Sequence, residues 1–102
     1  MKIVLRHEEY DFLTGALMVA DKRSYDPVYK NIRSRIEATA KNDGADRAIF
    51  LEETEIFNTL DALNEYAEEA LVGKYSPEEK KSRAKQAKDM STLLNTATGI
   101  YI

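Results

Sequence analysis

Two stretches decide the fold: residues 2–6, Lys2-Ile3-Val4-Leu5-Arg6, and residues 47–51, Arg47-Ala48-Ile49-Phe50-Leu51. Both are short and rich in side chains that suit a pleated surface, so both are expected to be strands. Each runs at once into acidic residues, Glu8-Glu9 after the first and Glu52-Glu53-Thr54-Glu55 after the second. Acids favour the positive end of a helix dipole, so each strand is expected to hand over directly to a helix. The helix after the first strand, about 8–22, sets Tyr10, Leu13, Leu17 and Ala20 on one stripe at steps of three and four. The helix after the second, about 54–71, does the same with Ile56, Leu60, Leu63, Ala67 and Ala70, and carries Asp61, Glu65, Glu68 and Glu69 on its other face.

Two further helix starts carry chemical marks. Asp26-Pro27 and Ser76-Pro77 each offer a side-chain oxygen to the orphan amides, followed by a proline where no intrahelical amide bond is needed. Ser76-Pro77-Glu78-Glu79 also has the form of a capping box. Stops are expected at Asn42-Asp43-Gly44 and at Gly73, with each glycine in the left-handed conformation, giving helices of about 26–41 and 76–95. The order is then strand, helix, helix, strand, helix, helix.

Compared with itself at an offset of 46, the chain matches Ile3, Leu5, Glu9, Ala16 and Leu17 to Ile49, Leu51, Glu55, Ala62 and Leu63. At an offset of 50, Tyr25-Asp26-Pro27 meets Tyr75-Ser76-Pro77, with Lys30/Lys80 and Arg33/Arg83 following. The expected fold class is α+β, mainly helical: a tandem strand-helix-helix repeat in one domain, residues 1–102, with halves 1–44 and 45–102. One such unit has a lone strand and an uncovered apolar helix face. Two can pair their strands and pack their first helices about a pseudo-twofold axis. The sheet would be two-stranded, or three-stranded if the apolar tail Thr98-Gly99-Ile100-Tyr101-Ile102 joins it.

With 102 residues, 43 % apolar and 32 % charged, the composition is that of one ordinary folded domain. The chain contains no Cys and one His, which excludes disulfides, thiolate sites and any site needing two imidazoles. Its four glycines, at 15, 44, 73 and 99, stand apart, so no phosphate-cradling loop is formed, and no nucleophile motif of the G-x-S-x-G kind occurs. His7 beside Glu8, Glu9 and Asp11 is read as a polar residue at a strand-to-helix junction. Glu52 and Glu55 are read as complements of the helix dipole rather than metal ligands. Of the tyrosines, Tyr10 and Tyr66 fit positions on or beside the core, while Tyr25, Tyr29 and Tyr75 gather near the two Pro caps and are expected to cover its rim. No catalytic residue, metal site or cofactor is expected. No apolar run approaches the length of a membrane helix and no signal peptide is seen, so the cytoplasm is the expected compartment.

The net charge of −3 conceals a strong segregation. Residues 42–73 hold nine acids against Arg47 alone, a net of −8, whereas residues 74–90 are +3 and residues 24–41 are +2. The candidate acidic face is Glu52, Glu53, Glu55, Asp61, Glu65, Glu68 and Glu69, suited to a basic surface on another protein. The candidate basic face is Lys80, Lys81, Arg83, Lys85 and Lys88. In its short strand, acidic helix start and Leu/Ala helix, the chain resembles small proteins encoded by bacteria and their phages, though no diagnostic motif carries that likeness. The expected function is a non-enzymatic protein-interaction or regulatory module, with another protein or a second copy of itself as partner and no membrane. Two alternatives stand beside it. One is nucleic-acid binding through the basic helices around 30–41 and 78–88. The other is a phage-type inhibitor whose acidic helix occupies a basic cleft of a host protein.

Overall fold

A computed structural model describes residues 1–99. The order is β1 (Lys2–Arg6), α1 (His7–Arg23), α2 (Val28–Thr39), β2 (Lys41–Asp43), β3 (Asp46–Phe50), α3 (Glu53–Val72) and α4 (Pro77–Thr98). Four helices and an antiparallel three-stranded sheet of order β1-β3-β2 make it an α+β fold that is mainly helical.

Alternation of side chains fixes the sheet. In β1, Ile3 and Leu5 are buried while Lys2, Val4 and Arg6 are exposed, so one face meets the helices and the other lies open. Ile3 pairs with Ile49 and Leu5 with Arg47. The strand pairing continues past its formal end, where the Leu51 amide donates to the Met1 carbonyl at 3.0 Å and the terminal amine of Met1 donates to the Leu51 carbonyl. Beneath the sheet, Ile3, Leu5, Ile49 and Leu51 join Leu13, Leu17, Ile32, Ile36, Ile56, Leu63, Met90 and Leu94 in one core to which every helix contributes. The expected stripes are the buried ones: Tyr10, Leu13, Leu17 and Ala20 in α1, and Ile56, Leu60, Leu63 and Ala70 in α3, with Ala67 half-buried. The central helix is α3, which packs against α1, α2 and α4.

Both strand-to-helix handovers use a carboxylate that reaches back one turn. Glu9 Oε1 accepts the Arg6 amide at 2.8 Å, and Glu55 Oε1 accepts the Glu52 amide at 2.9 Å. At the start of α4, Ser76 Oγ accepts from the Glu79 amide at 3.2 Å and Pro77 is the first helical residue, as expected. At α2 the pattern is displaced by one: Pro27 is the cap residue without a side-chain cap bond, and Asp26 Oδ1 accepts from the Val28 amide at 3.1 Å in the turn before it.

The structure differs from the sequence reading at three places. Lys41–Asp43 forms a strand that the sequence reading placed at the end of a helix: α2 ends at Thr39, and the chain turns back through Gly44-Ala45 as a two-residue hairpin. Gly44 takes φ +65°, and the Asp-Gly pair expected to stop a helix instead makes a hairpin turn. Thr98 is the last residue of α4 and Gly99, at φ +67°, is its left-handed cap; the rest of the tail, 100–102, lies outside the described residues. Gly73 is not left-handed, at φ −72° and ψ 172°. Its lack of a side chain serves the Tyr75 ring, whose Cε2 would stand 2.8 Å from an added Cβ.

The order strand-helix-helix recurs, and Ile3 is paired with the residue the 46-residue offset assigns to it. The halves diverge beyond that point. Among the described residues β2 has no counterpart in the second half, and α2 has 12 residues where α4 has 22. A tandem repeat with pseudo-twofold symmetry is not confirmed.

Candidate interaction surface

Charged side chains follow from helix periodicity. In α3, Asp61, Glu65 and Glu68 recur at i, i+4 and i+7 and so share one stripe, with Asp61 and Glu68 exposed and Glu65 half-buried. In α4, Lys81, Lys85 and Lys88 have the same spacing, and all three are exposed. The two helices run antiparallel after the short turn Gly73–Ser76 and leave between them a shallow groove of about 150 Å³. Leu63, Asn64 and Ala67 line it from α3, and Ala84, Ala87, Lys88 and Ser91 from α4, so apart from Leu63 its lining is small or polar.

Glu52, Glu55, Glu69 and Arg83, also members of the two candidate faces, are engaged by partners inside the fold. The Arg35 guanidinium reaches across from α2 to Glu55 at 2.6 Å and Glu52 at 3.7 Å, neutralising the acids at the start of α3. Glu69 pairs with Arg23 of α1 at 3.4 Å, and the same guanidinium donates to the Glu65 carbonyl at 3.1 Å. Glu53 is exposed near the start of α3, away from the Asp61–Glu68 stripe. The seven acids thus lie at separate places rather than on one continuous face.

Arg83 likewise points inward. It donates to the Tyr66 hydroxyl at 2.9 Å and lies over the Tyr75 ring at 4.2 Å from the centroid. The Tyr66 hydroxyl holds the Arg83 pKa above its already high ordinary value. Tyr66 in turn meets Phe12 of α1 edge to face at 5.1 Å. The sequence reading places Arg83 among surface bases; its closeness in sequence to Tyr75, eight residues before it, was the available signal. Lys80 is half-buried, leaving Lys81, Lys85 and Lys88 as the outward stripe.

Ion pairs elsewhere join Lys2 to Asp43, Arg6 to Glu9, His7 to Asp11 and Arg33 to Glu37. Among the described residues, Asp61, Glu68, Lys81, Lys85 and Lys88 enter no ion pair, although both signs flank one groove. Glu65 differs: its Oε2 is buried without a hydrogen-bond partner among the described residues. Buried beside it, Tyr29 has its pKa raised, first by desolvation and then by the charges of Glu65, Asp61 and Asp26.

A second concavity, of about 190 Å³, lies where the start of α1 meets α4; Phe12 and Met90 line it together with Arg6, Glu8, Glu9 and Asp89. Among the described residues no three His, Asp or Glu side chains gather as a metal ion would require, and no helix is long and apolar enough to cross a membrane. No family model, curated protein or solved structure matches the chain.

Proposed function

We propose that this chain is a small non-enzymatic interaction or regulatory module of the cytoplasm that binds another protein through the outward face of α3 and α4. The observation that carries this reading is the contrast between employed and unemployed charge. Arg23, Arg33, Arg35 and Arg83 are engaged by partners within the fold, whereas the exposed charges beside the α3–α4 groove are left for solvent or a partner. Charged ridges of this kind steer encounter and select partners more than they add raw affinity. The rigid core beneath them fixes the spacing of the ridges, so little side-chain reorganisation accompanies binding.

Nucleic acid is a weaker fit than a protein. On α2, Arg33 and Arg35 are already held by Glu37, Glu52 and Glu55, so that helix offers few bases for phosphates. An inhibitor acting through a continuous acidic helix is weakened by the dispersal of the acids.

Capture of binding proteins by the immobilised chain tests the proposal. The wild type is compared with a double reversal of Asp61 and Glu68 to Lys and a triple reversal of Lys81, Lys85 and Lys88 to Glu. A partner retained by the wild type and lost on reversing either ridge, at unchanged helical circular dichroism, supports it. Partners indifferent to both reversals count against it, as does a salt-sensitive gel shift of DNA lost only in the lysine variant.

A further inference from the structure

We infer that the α3–α4 face is self-complementary, and that its occupant is a second copy of this chain, related by a twofold axis running along the groove. This rests on the reading above that the face is a binding surface, and adds which partner it fits. On α3, Asp61 and Glu68 stand three residues before and four after the groove-lining Asn64, and on α4 Lys81 and Lys85 share a stripe with the groove-lining Lys88, so helix spacing sets an acidic ridge and a basic ridge beside the groove. None of the five is ion-paired among the described residues.

Consider a copy turned by half a revolution about an axis parallel to the two helices. The rotation exchanges left and right without sliding the copy along the groove. Each acidic ridge then faces a basic ridge, on both sides of the axis at once, as an isologous contact requires. A twofold axis lying across the helices would instead oppose acid to acid and base to base, so charge selects one of the two arrangements. Because α3 and α4 are antiparallel, Glu68 comes opposite Lys81 and Lys85 of the copy, and Asp61 opposite Lys88.

The groove floor suits close approach. Ala67, Ala84 and Ser91 have little bulk to hold two backbones apart. Leu71, which is 58 % exposed, lies seven residues from Asn64 along the same stripe, and half-buried Phe57 lies seven residues before it. Both would be covered, and the product is a four-helix arrangement of two hairpins. The ridges are solvent-exposed, so the pairing is weak and strongly salt-dependent.

Sedimentation of the full chain at low and high salt tests this, with two variants: Asp61→Lys with Glu68→Lys, and Lys85→Glu with Lys88→Glu. The wild type is expected to move from 11.6 kDa toward twice that mass as concentration rises at low salt, and to return at high salt. Each variant alone is expected to remain at 11.6 kDa, because both of its ridges then tend to one sign. An equimolar mixture of the two is expected to recover the dimer, since each supplies what the other lacks. Recovery in the mixture also excludes misfolding as the cause of the loss. A wild type that stays monomeric at every concentration overturns the inference, and so does a dimer indifferent to both variants. A monomeric chain that still captures a different protein through these ridges overturns self-pairing while leaving the proposed function standing.

Discussion

Gly73→Ala is the substitution whose consequence the structure specifies most closely. The backbone there has an ordinary negative φ, so alanine is conformationally permitted and by itself stabilises by about 0.4–1 kcal/mol through the unfolded chain. The added methyl would stand 2.8 Å from Cε2 and 3.0 Å from Cδ2 of Tyr75, and 3.0 Å from the Glu69 carbonyl oxygen. The ring must move, and the ring is what Arg83 rests on at 4.2 Å. Losing that stacking costs about 0.5–1 kcal/mol, and crowding costs on the order of 1 kcal/mol more, so the net is a destabilisation of about 1 kcal/mol. In a Tyr75→Ser background the ring is absent and most of the penalty vanishes. The unfolded-chain gain cancels between backgrounds, so urea unfolding of the four proteins of that double-mutant cycle should give a coupling energy of about 1–2 kcal/mol. Gly73→Ala that stabilises the wild type, or that has the same effect in both backgrounds, refutes the reasoning.

Other outcomes follow from single contacts. Leu94→Ala, at a fully buried position of α4, should lower unfolding stability by about 3 kcal/mol, measured by denaturant midpoint at unchanged m-value. Glu55→Ala removes both the acceptor of the Glu52 amide and the partner of Arg35, and should cost about 1–2 kcal/mol; Glu55→Gln keeps the acceptor and should cost visibly less by thermal melting. Ser76→Ala, which leaves the Glu79 amide without its acceptor, should cost about 1 kcal/mol in the same assay. Tyr29 has its pKa raised above the ordinary phenol value of 10.0, so its folded form holds the proton longer than the unfolded chain does. The stability it contributes is complete below the unfolded value and is lost as pH rises toward the folded one. Phenolate absorbance should therefore lose its late-titrating component in Tyr29→Phe, whose stability should also fall less steeply in that alkaline range.

How far the fold was legible depended on where its determinants lie along the chain. Residue types that suit a pleated surface in residues 2–6, and apolar steps of three and four in α1 and α3, are local signals, and the structure follows them. Ser76-Pro77 and Asp26-Pro27 announced helix starts because capping is settled within one turn. β2 was hidden because Lys41, Asn42 and Asp43 are all exposed and carry no apolar alternation; pairing with Ala48, Arg47 and Asp46 holds them. The Asp43-Gly44 dipeptide was the one local clue, and it reads equally as a helix stop. The candidate surface was legible only in part. Charge segregation is a property of sequence, but which charges are consumed depends on contacts between distant elements, as when Arg35 meets Glu52 and Glu55 across α2 and α3. Inward use of Arg83 likewise depends on Tyr66 of the neighbouring helix.

The central claim is that the pair of charged ridges on α3 and α4 is the surface on which two copies of the chain meet. Amide chemical shifts followed by NMR as protein concentration is raised at low salt test it most directly. The account predicts shifts concentrated at Asp61, Asn64, Glu68, Lys81, Lys85, Lys88 and Ser91, suppressed by added salt. Concentration-dependent shifts centred instead on the open face of the sheet, around Val4 and Phe50, or no dependence at all, would contradict it.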